Sequence, residues 1–323
     1  MTDLFTVAGK ELLDLRRDRL FVILISFLAV VIFISVAVGA ADFRSQLEAY
    51  NRYVADLTAS GTGVAPAAPQ LFPLQLLRGG IEYLEIIGAL FAIVLGYGTI
   101  AKEKHRGTLQ LFLTRPVNRF AFAGGKVAGL SLVWLVVVVI LTAVSIGAVV
   151  TIGGGTVTAT DLARVAITAG FVWFYLVFWT ALAVGLTSLS GRLSSALIVA
   201  LVIWLAFVLV IPQIGDTMDP DNQVPGGLFA ALQIQKTDEL AVLAQFAGFD
   251  GIRNGLEVSS ITKHFERLSF ALLGIKDAYN QQPIPVVLAA MLPYAITLTA
   301  ATIASVIFAT AATTRRTLQR TQS

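Results

Sequence analysis

The chain has 323 residues, of which 56% are hydrophobic and only 13% are charged, and its net charge is +3. Soluble domains carry about 25% charged residues, so half that share predicts a chain solvated mainly by lipid. The absence of cysteine from the sequence excludes a disulfide framework, a thiolate metal site and a CxxC redox pair.

Six apolar segments are candidates for membrane spans, because a hydrocarbon core of about 30 Å needs about 20 helical residues. They cover residues 20–41, 86–101, 127–152, 165–189, 193–214 and 285–314. The second segment reaches the required length only if Glu82 and Glu85 lie at its outer end. The predicted fold class is therefore all-α, a polytopic membrane protein with six transmembrane helices, five of them within residues 20–214.

The distribution of Lys and Arg predicts which connections face the cytoplasm. If the N-terminus is cytoplasmic, the cytoplasmic pieces hold fourteen of the 23 basic residues and five of the 20 acidic residues. The opposite orientation would place most of the positive charge outside. Both termini are therefore predicted to be cytoplasmic.

The polar pieces around the spans have their own expected structures. Residues 1–19 are predicted to form an amphipathic helix along the inner membrane surface, and residues 315–323 a basic cytoplasmic tail. Residues 42–81 form an outer loop, whose first part continues the first span as an amphipathic helix. Residues 215–284 form an extracytoplasmic helical segment before the last span. Its two predicted helices cover residues 228–246 and 256–273.

The chain shows no pattern of catalytic or nucleotide-binding residues. None of the six apolar segments contains Asp, Glu, Lys, Arg or His, although secondary transporters and intramembrane enzymes commonly need such side chains at membrane depth. The only histidines, His105 and His264, lie in polar segments, so a histidine metal site is not expected. No stretch matches the phosphate-binding pattern GxxxxGK[ST]. The sequence predicts a chain that is not an enzyme and holds no cofactor or metal.

The connection between the second and third spans, residues 102–126, mixes positive charge with apolar residues. Retention of basic residues on the cytoplasmic side explains the charges at its start. It does not explain the apolar run at 109–113. We expect a short transverse helix here, with Thr108 as its N-cap and Pro116 just past its end. An apolar helix face between charged ends is suited to docking into a groove of a soluble partner.

The same connection contains a longer pattern, E-x-x-x-G-T-L-x-x-x-L-[ST]-x-P-V-x-R followed by G-K. Its residues are Glu103, Gly107, Thr108, Leu109, Leu113, Thr114, Pro116, Val117, Arg119, Gly125 and Lys126. This pattern resembles the membrane subunits of ABC transporters of the ABC-2 type. In that family the segment is a coupling helix that lies in a cleft of the cytoplasmic ATPase.

The resemblance implies the permease subunit of an ATP-driven transporter, expected to be an exporter, in the cytoplasmic membrane of a prokaryote. ATP and Mg would be bound by a separate ATPase, and this chain would hold no cofactor. The residues implied in ATPase coupling are Glu103, Arg106, Gly107, Thr108, Leu109, Leu113, Arg115 and Pro116. Glu103 and Arg106 would make polar contacts with the ATPase, while Leu109 and Leu113 fill its groove.

The implied partners are the cytoplasmic ABC ATPase, a second copy of the permease in a homodimer, and the lipid bilayer. An extracytoplasmic accessory protein is a further expected partner, and nucleic acid is not one. The stretch LVIPQ at residues 209–213 adds a resemblance to permeases that serve the maturation of nitrous oxide reductase and other multicopper enzymes.

Three alternatives stay open at the level of the sequence. A non-transporting ABC membrane subunit would pass ATPase motion through residues 215–284 to an extracytoplasmic partner. A secondary transporter is disfavoured by the uncharged span interiors. Glu82 and Glu85, one helical turn apart, would form either an outer cation site or a solvated, salt-bridged mouth.

Overall fold

The computed structural model describes residues 19–60, 72–106, 119–152, 157–218 and 247–313, together with the single residues 9, 232, 238, 241 and 244. Within these ranges the chain forms helices and no strand. Six helices are long and apolar enough to cross a membrane, which confirms the predicted all-α, six-span fold. The helices predicted before Arg19 and at 228–246 lie outside the described residues, except for the single residues named above. The basic tail 315–323 also lies outside them.

The helices of the described ranges are numbered in chain order. They are α1 (Arg19–Ser60), α2 (Arg78–Tyr83, Leu84–Gly88 and Ala89–Arg106 in succession), α3 (Arg119–Ile152), α4 (Ala159–Leu189), α5 (Leu193–Trp204, Leu205–Val210 and Ile211–Thr217), α6 (Ala247–Glu257), α7 (Ile261–Leu272) and α8 (Ile284–Ala312). The spans are α1 to α5 and α8. Short 3-10 turns at Pro73–Leu77 and Asp277–Tyr279 precede α2 and α8.

The bundle has two ends, which we name by the elements that lie there. The loop end is where α2 ends at Arg106 and α3 begins at Arg119. The cap end is the opposite one, where α6 and α7 pack across α4, α5 and α8. Because successive spans alternate in direction, the end of α4 and the end of α8 also lie at the loop end.

Helix α1 runs for 42 residues without a break, about twice the length that a bilayer core needs. Nearly half of it, residues 42–60, extends past residue 41 at the cap end, as the amphipathic pattern predicted. There Arg44 Nη2 donates a hydrogen bond of 2.9 Å to the carbonyl oxygen of Ile152. That carbonyl lies at the C-terminus of α3 and has no partner within its own helix, so the guanidinium supplies one.

The described part of the cap contains α6, which lies almost entirely between the two predicted helices, and α7, which falls within the predicted helix 256–273. Helix α6 ends at Glu257 and α7 begins at Ile261. Ser260 adopts an extended backbone and its hydroxyl accepts a hydrogen bond from the amide of Thr262. Such a cap starts a new helix at this point, because it satisfies an amide that would otherwise be unpaired. The predicted start of the helix therefore differs from the observed start of α7.

Helix α4 is the centre of the bundle and packs against α2, α3, α5, α7 and α8. Glycines allow two of these contacts to be close. A Cβ atom on Gly96 of α2 would lie 2.4 Å from the carbonyl oxygen of Thr180, and one on Gly185 of α4 would lie 2.4 Å from the ring of Phe308 on α8. Small residues at helix crossings are the usual means of close packing in lipid, where burial of apolar surface does not drive association.

Candidate functional site

A buried ion pair joins the two ends of the predicted coupling loop. Lys126 Nζ of α3 lies 2.7 Å from Glu103 Oε1 of α2, and the two side chains are only 1% and 9% exposed. A buried charge is stable only when it is paired, because removal from water costs several kcal/mol for each ion. The pair therefore holds the end of α2 against the start of α3, on either side of residues 107–118.

Lys104, the next residue along α2, binds the end of α4. Its Nζ donates hydrogen bonds to the carbonyl oxygens of Thr187 at 2.9 Å and Ser190 at 2.8 Å. Carbonyls in the last turn of a helix lack partners in that helix and attract a cation. We call Glu103, Lys104, Lys126 and these two carbonyls the loop base.

A hydroxyl contact extends this arrangement to the last span. The Oγ of Ser188 and the Oγ1 of Thr313 lie 2.9 Å apart, and both residues are buried. The end of α4 is thus joined to the end of α8. Four spans, α2, α3, α4 and α8, are therefore connected by polar contacts at the loop end.

Only part of the predicted coupling site falls within the described residues. Glu103 lies inside the bundle against Lys126, and Arg106 is the last residue of α2. The others lie outside the described residues: Gly107, Thr108, Leu109, Leu113, Arg115 and Pro116. The structure thus gives Glu103 a partner within the chain, and contact of Glu103 with an ATPase stays a prediction.

Lys104 and Lys126 were missed as functional candidates. Lys126 does belong to the G-K that ends the sequence pattern, so a signal was present. Glu103 and Lys126 are 23 positions apart, however, and spacing alone does not show that two residues on different helices meet. The partner of Lys104 is a pair of backbone carbonyls, which no side-chain pattern reveals.

At the cap end, the two predicted outer-mouth acids have different surroundings. Glu82 is largely exposed, and its Oε1 lies 3.0 Å from Arg78 Nε one helical turn earlier. Glu85 is only 6% exposed. Glu82 therefore fits the salt-bridged mouth, whereas Glu85 lies in the interior.

Glu85 belongs to a π-helical segment, Leu84–Gly88, within α2. The wider turn frees backbone carbonyls, and aromatic side chains from other spans bind them. Tyr175 Oη of α4 donates to the carbonyl oxygen of Glu85 at 2.8 Å, and Trp204 Nε1 of α5 donates to that of Ile86 at 3.2 Å. Such π segments are rare and frequently occur at functional sites.

A second π-helical segment, Leu205–Val210, lies in α5. There the Ser260 hydroxyl, at the start of α7, donates to the carbonyl oxygen of Phe207. Between the two π segments and α7 is a cavity of about 290 Å³. Its lining includes Glu85 and Ile86 from the first segment and Val208 and Leu209 from the second.

Charged side chains of α5 and α7 also line this cavity. Lys263 Nζ lies 2.7 Å from Glu266 Oε2 and 3.2 Å from Asp216 Oδ1. Burial lowers the pKa of Lys263, but Glu266 and Asp216 more than offset this and raise the pKa to about 12. Burial also raises the pKa of Glu266, and the nearby Lys263 ammonium offsets only part of that effect.

A larger cavity of about 760 Å³ lies on the other side of α2, between its first turns and α1. Arg78, Glu82 and Ile86 line both cavities. Most of the remaining lining is apolar and comes from α1, including Phe27, Ile34 and Val38, with Asp42 and Gln75 at the cap end.

Comparison with protein families finds one that matches almost the whole chain. The family described as ABC-2 family transporter protein matches residues 5–315. The chain belongs to this ABC-2 family. A search of curated proteins finds no match.

Membership gives the loop base its context. ABC-2 permeases are membrane subunits of ABC transporters and are not themselves the catalytic subunits, so the family implies a partner ATPase and embedding in a membrane. The six apolar helices agree with a multi-pass membrane protein. The loop base of this ABC-2 permease lies at both ends of the segment that the sequence predicted to contact that ATPase.

Proposed function

We propose that this ABC-2 permease is the membrane half of an ATP-driven exporter, coupled through residues 102–119 to a separate cytoplasmic ATPase. Two copies of the chain would form a symmetric pair, since six spans are half of such a transporter. The positive charge of the alternate connections supports a cytoplasmic location for the loop end and for both termini.

The observation that carries this proposal is the loop base. A force applied to residues 107–118 reaches α2 and α3 through the Glu103–Lys126 pair and α4 through Lys104. Long packed helices move as rigid bodies rather than bending. Closure of two ATPase subunits on ATP would therefore tilt these three spans together and open a path toward the cap end.

In this mechanism the predicted coupling residues divide into two groups. Leu109 and Leu113 would fill a groove of the ATPase, and Arg106 and Arg115 would make polar contacts at its rim. Glu103 would act from inside the bundle as a positioning residue, because its carboxylate is committed to Lys126.

The docking step is tested by the double substitution Leu109→Asp and Leu113→Asp. We expect loss of co-purification with the ATPase and loss of its response to the permease, because two carboxylates cannot replace apolar anchors in a groove. Gln110→Asp adds charge to the same segment at a polar position and is the matched control. If the double variant still binds and regulates the ATPase as the Gln110→Asp variant does, residues 107–116 are not the docking element.

A second candidate function is the transfer of ATPase motion to an extracytoplasmic partner without transport. The packing of the cap favours it. Arg267 of α7 forms an ion pair with Glu257 of α6 and donates a hydrogen bond to Tyr294 Oη of α8 at 2.9 Å. The cap is thus attached to α8, and Thr313 at the other end of α8 contacts Ser188, which lies between the two loop-base carbonyls. The resemblance of residues 209–213 to permeases of multicopper-enzyme maturation supports the same candidate, but the family match does not reach that subgroup.

A further inference from the structure

We propose that the 290 Å³ cavity between α2, α5 and α7 binds a small amphiphilic organic cation, an alkyl- or arylammonium group with an apolar body, through the carboxylate of Glu85. This site goes beyond the proposed function, because binding there requires neither ATP nor an ATPase.

The first step of the argument is the state of Glu85. Its side chain is 94% buried and lines the cavity. Among the described residues, no hydrogen bond or ion pair reaches its carboxylate, whereas its backbone carbonyl is bound by Tyr175. Without a partner, a carboxyl group so buried is neutral, because its ionised form would cost several kcal/mol. A ligand cation in the cavity would remove that cost.

The second step is the charge around Glu85. Four carboxylates line the cavity, from Glu82, Glu85, Asp216 and Glu266, against two cations, Arg78 and Lys263. Arg78 is paired with Glu82, and Lys263 lies between Asp216 and Glu266. Even with Glu85 neutral, three carboxylates face two cations, so the lining is negative, and a cleft with this balance and apolar walls attracts a cation.

The third step is the size and composition of the cavity. Its volume is close to the lower limit for ligand pockets, about 300 Å³, and exceeds what a bare ion needs. The apolar part of the lining is formed by Ile86, Val208, Leu209, Pro212 and Phe270. No group of three acidic or histidine side chains in the described part of the chain could hold a metal ion. These features favour a cation with an apolar body.

The fourth step is the backbone that forms the walls. Glu85 and Ile86 lie in one π-helical segment, and Val208 and Leu209 lie in the other. Each segment gives up regular helical hydrogen bonding and has its freed carbonyls bound by side chains of other helices. Two such segments that face one cavity indicate a built site rather than a packing defect.

The test uses purified full-length protein in detergent and 4-fluorobenzylammonium as the probe, with binding followed by ¹⁹F NMR titration. Its neutral analogue, 4-fluorobenzyl alcohol, has nearly the same shape. We expect saturable binding of the ammonium at least about tenfold tighter than that of the alcohol, because a charge-assisted hydrogen bond contributes that much or more.

Three variants assign the binding to this cavity. Glu85→Gln keeps the shape of the side chain and should abolish the preference for the ammonium. Glu48→Gln, which removes an exposed carboxylate of α1 near the same end, should leave the preference unchanged. Leu209→Trp fills the cavity without changing any charge and should weaken both probes.

Several results would overturn the proposal. Two of them are equal binding of the two probes by the unsubstituted protein and an unchanged preference in Glu85→Gln. The third is tighter binding of Ca²⁺ than of the ammonium, seen when Ca²⁺ displaces the ammonium but the ammonium does not displace Ca²⁺. If Glu85→Gln does not fold, a folded Leu209→Trp variant that still binds the ammonium normally also contradicts it. None of these measurements involves ATP hydrolysis, so they are independent of the docking test above.

Discussion

Lys126 is the residue that holds α3 against α2 at the loop end of the bundle. Its side chain is 1% exposed, and its ammonium nitrogen lies 2.7 Å from the carboxylate of Glu103. Removal of one partner leaves an uncompensated buried charge, which is more costly than removal of both. The pair can therefore be examined by a double-mutant cycle.

We expect Lys126→Met and Glu103→Gln each to destabilise the protein by about 3 kcal/mol or more, and the double variant to recover much of that loss. Unfolding in detergent, followed by circular dichroism, measures the three free-energy changes. Single variants that each cost less than about 0.5 kcal/mol would show that the pair does not hold the loop base.

Among the elements, α2 and α4 form a close contact that a matched pair of glycine substitutions can test. A Cβ on Gly96 would lie 2.4 Å from the carbonyl oxygen of Thr180, whereas a Cβ on Gly98, two residues later, would meet nothing within 4 Å. Both glycines lie in the same helix, so a substitution changes helix propensity similarly at the two positions.

We expect Gly96→Val to lower the unfolding temperature clearly, because overpacking typically costs about 1–3 kcal/mol and here the neighbouring atom is backbone. Gly98→Val should have little effect. Thermal unfolding of both variants in the same detergent measures the difference. Equal unfolding temperatures for the two variants would mean that α2 and α4 do not approach as closely as the structure shows.

The π-helical segments of α2 and α5 are also features of whole elements. Each lies in a span that the sequence predicted only as an apolar helix, and each is stabilised by donors from other helices, namely Tyr175, Trp204 and Ser260. Periodicity detects an apolar span but does not detect an extra residue in one turn of it. The burial of Glu85 follows from such a turn together with the packing of α7, so residue spacing predicted only that Glu82 and Glu85 were neighbours.

Across the whole molecule, polar contacts connect the two ends of the bundle. Helix α8 contacts α4 at the loop end through Thr313 and contacts the cap through Tyr294. Both transport and transfer of motion to an extracytoplasmic partner require that a movement at the loop base reach the cap.

This requirement can be tested with one spin label per chain at Ile252, an exposed position of α6, since the chain has no cysteine of its own. In the proposed complex of two permease copies with the ATPase, ATP and vanadate should shift the label-to-label distance distribution between the two copies, measured by double electron–electron resonance. The Lys126→Met variant, with the ATPase still bound, should lose that shift. An unchanged distribution in the unsubstituted complex would contradict coupling between the ends.

The sequence by itself determined the fold class, the number of spans and the family pattern between α2 and α3. These features depend on local composition and spacing, and lipid makes the requirement for long apolar helices almost absolute. Only the tertiary structure decided that Glu103 meets Lys126, that Lys104 binds the end of α4, and that Glu85 lines a cavity rather than an exposed surface. Those contacts join residues of different helices, and side-chain packing in three dimensions, which no spacing along the chain encodes, sets which of them meet.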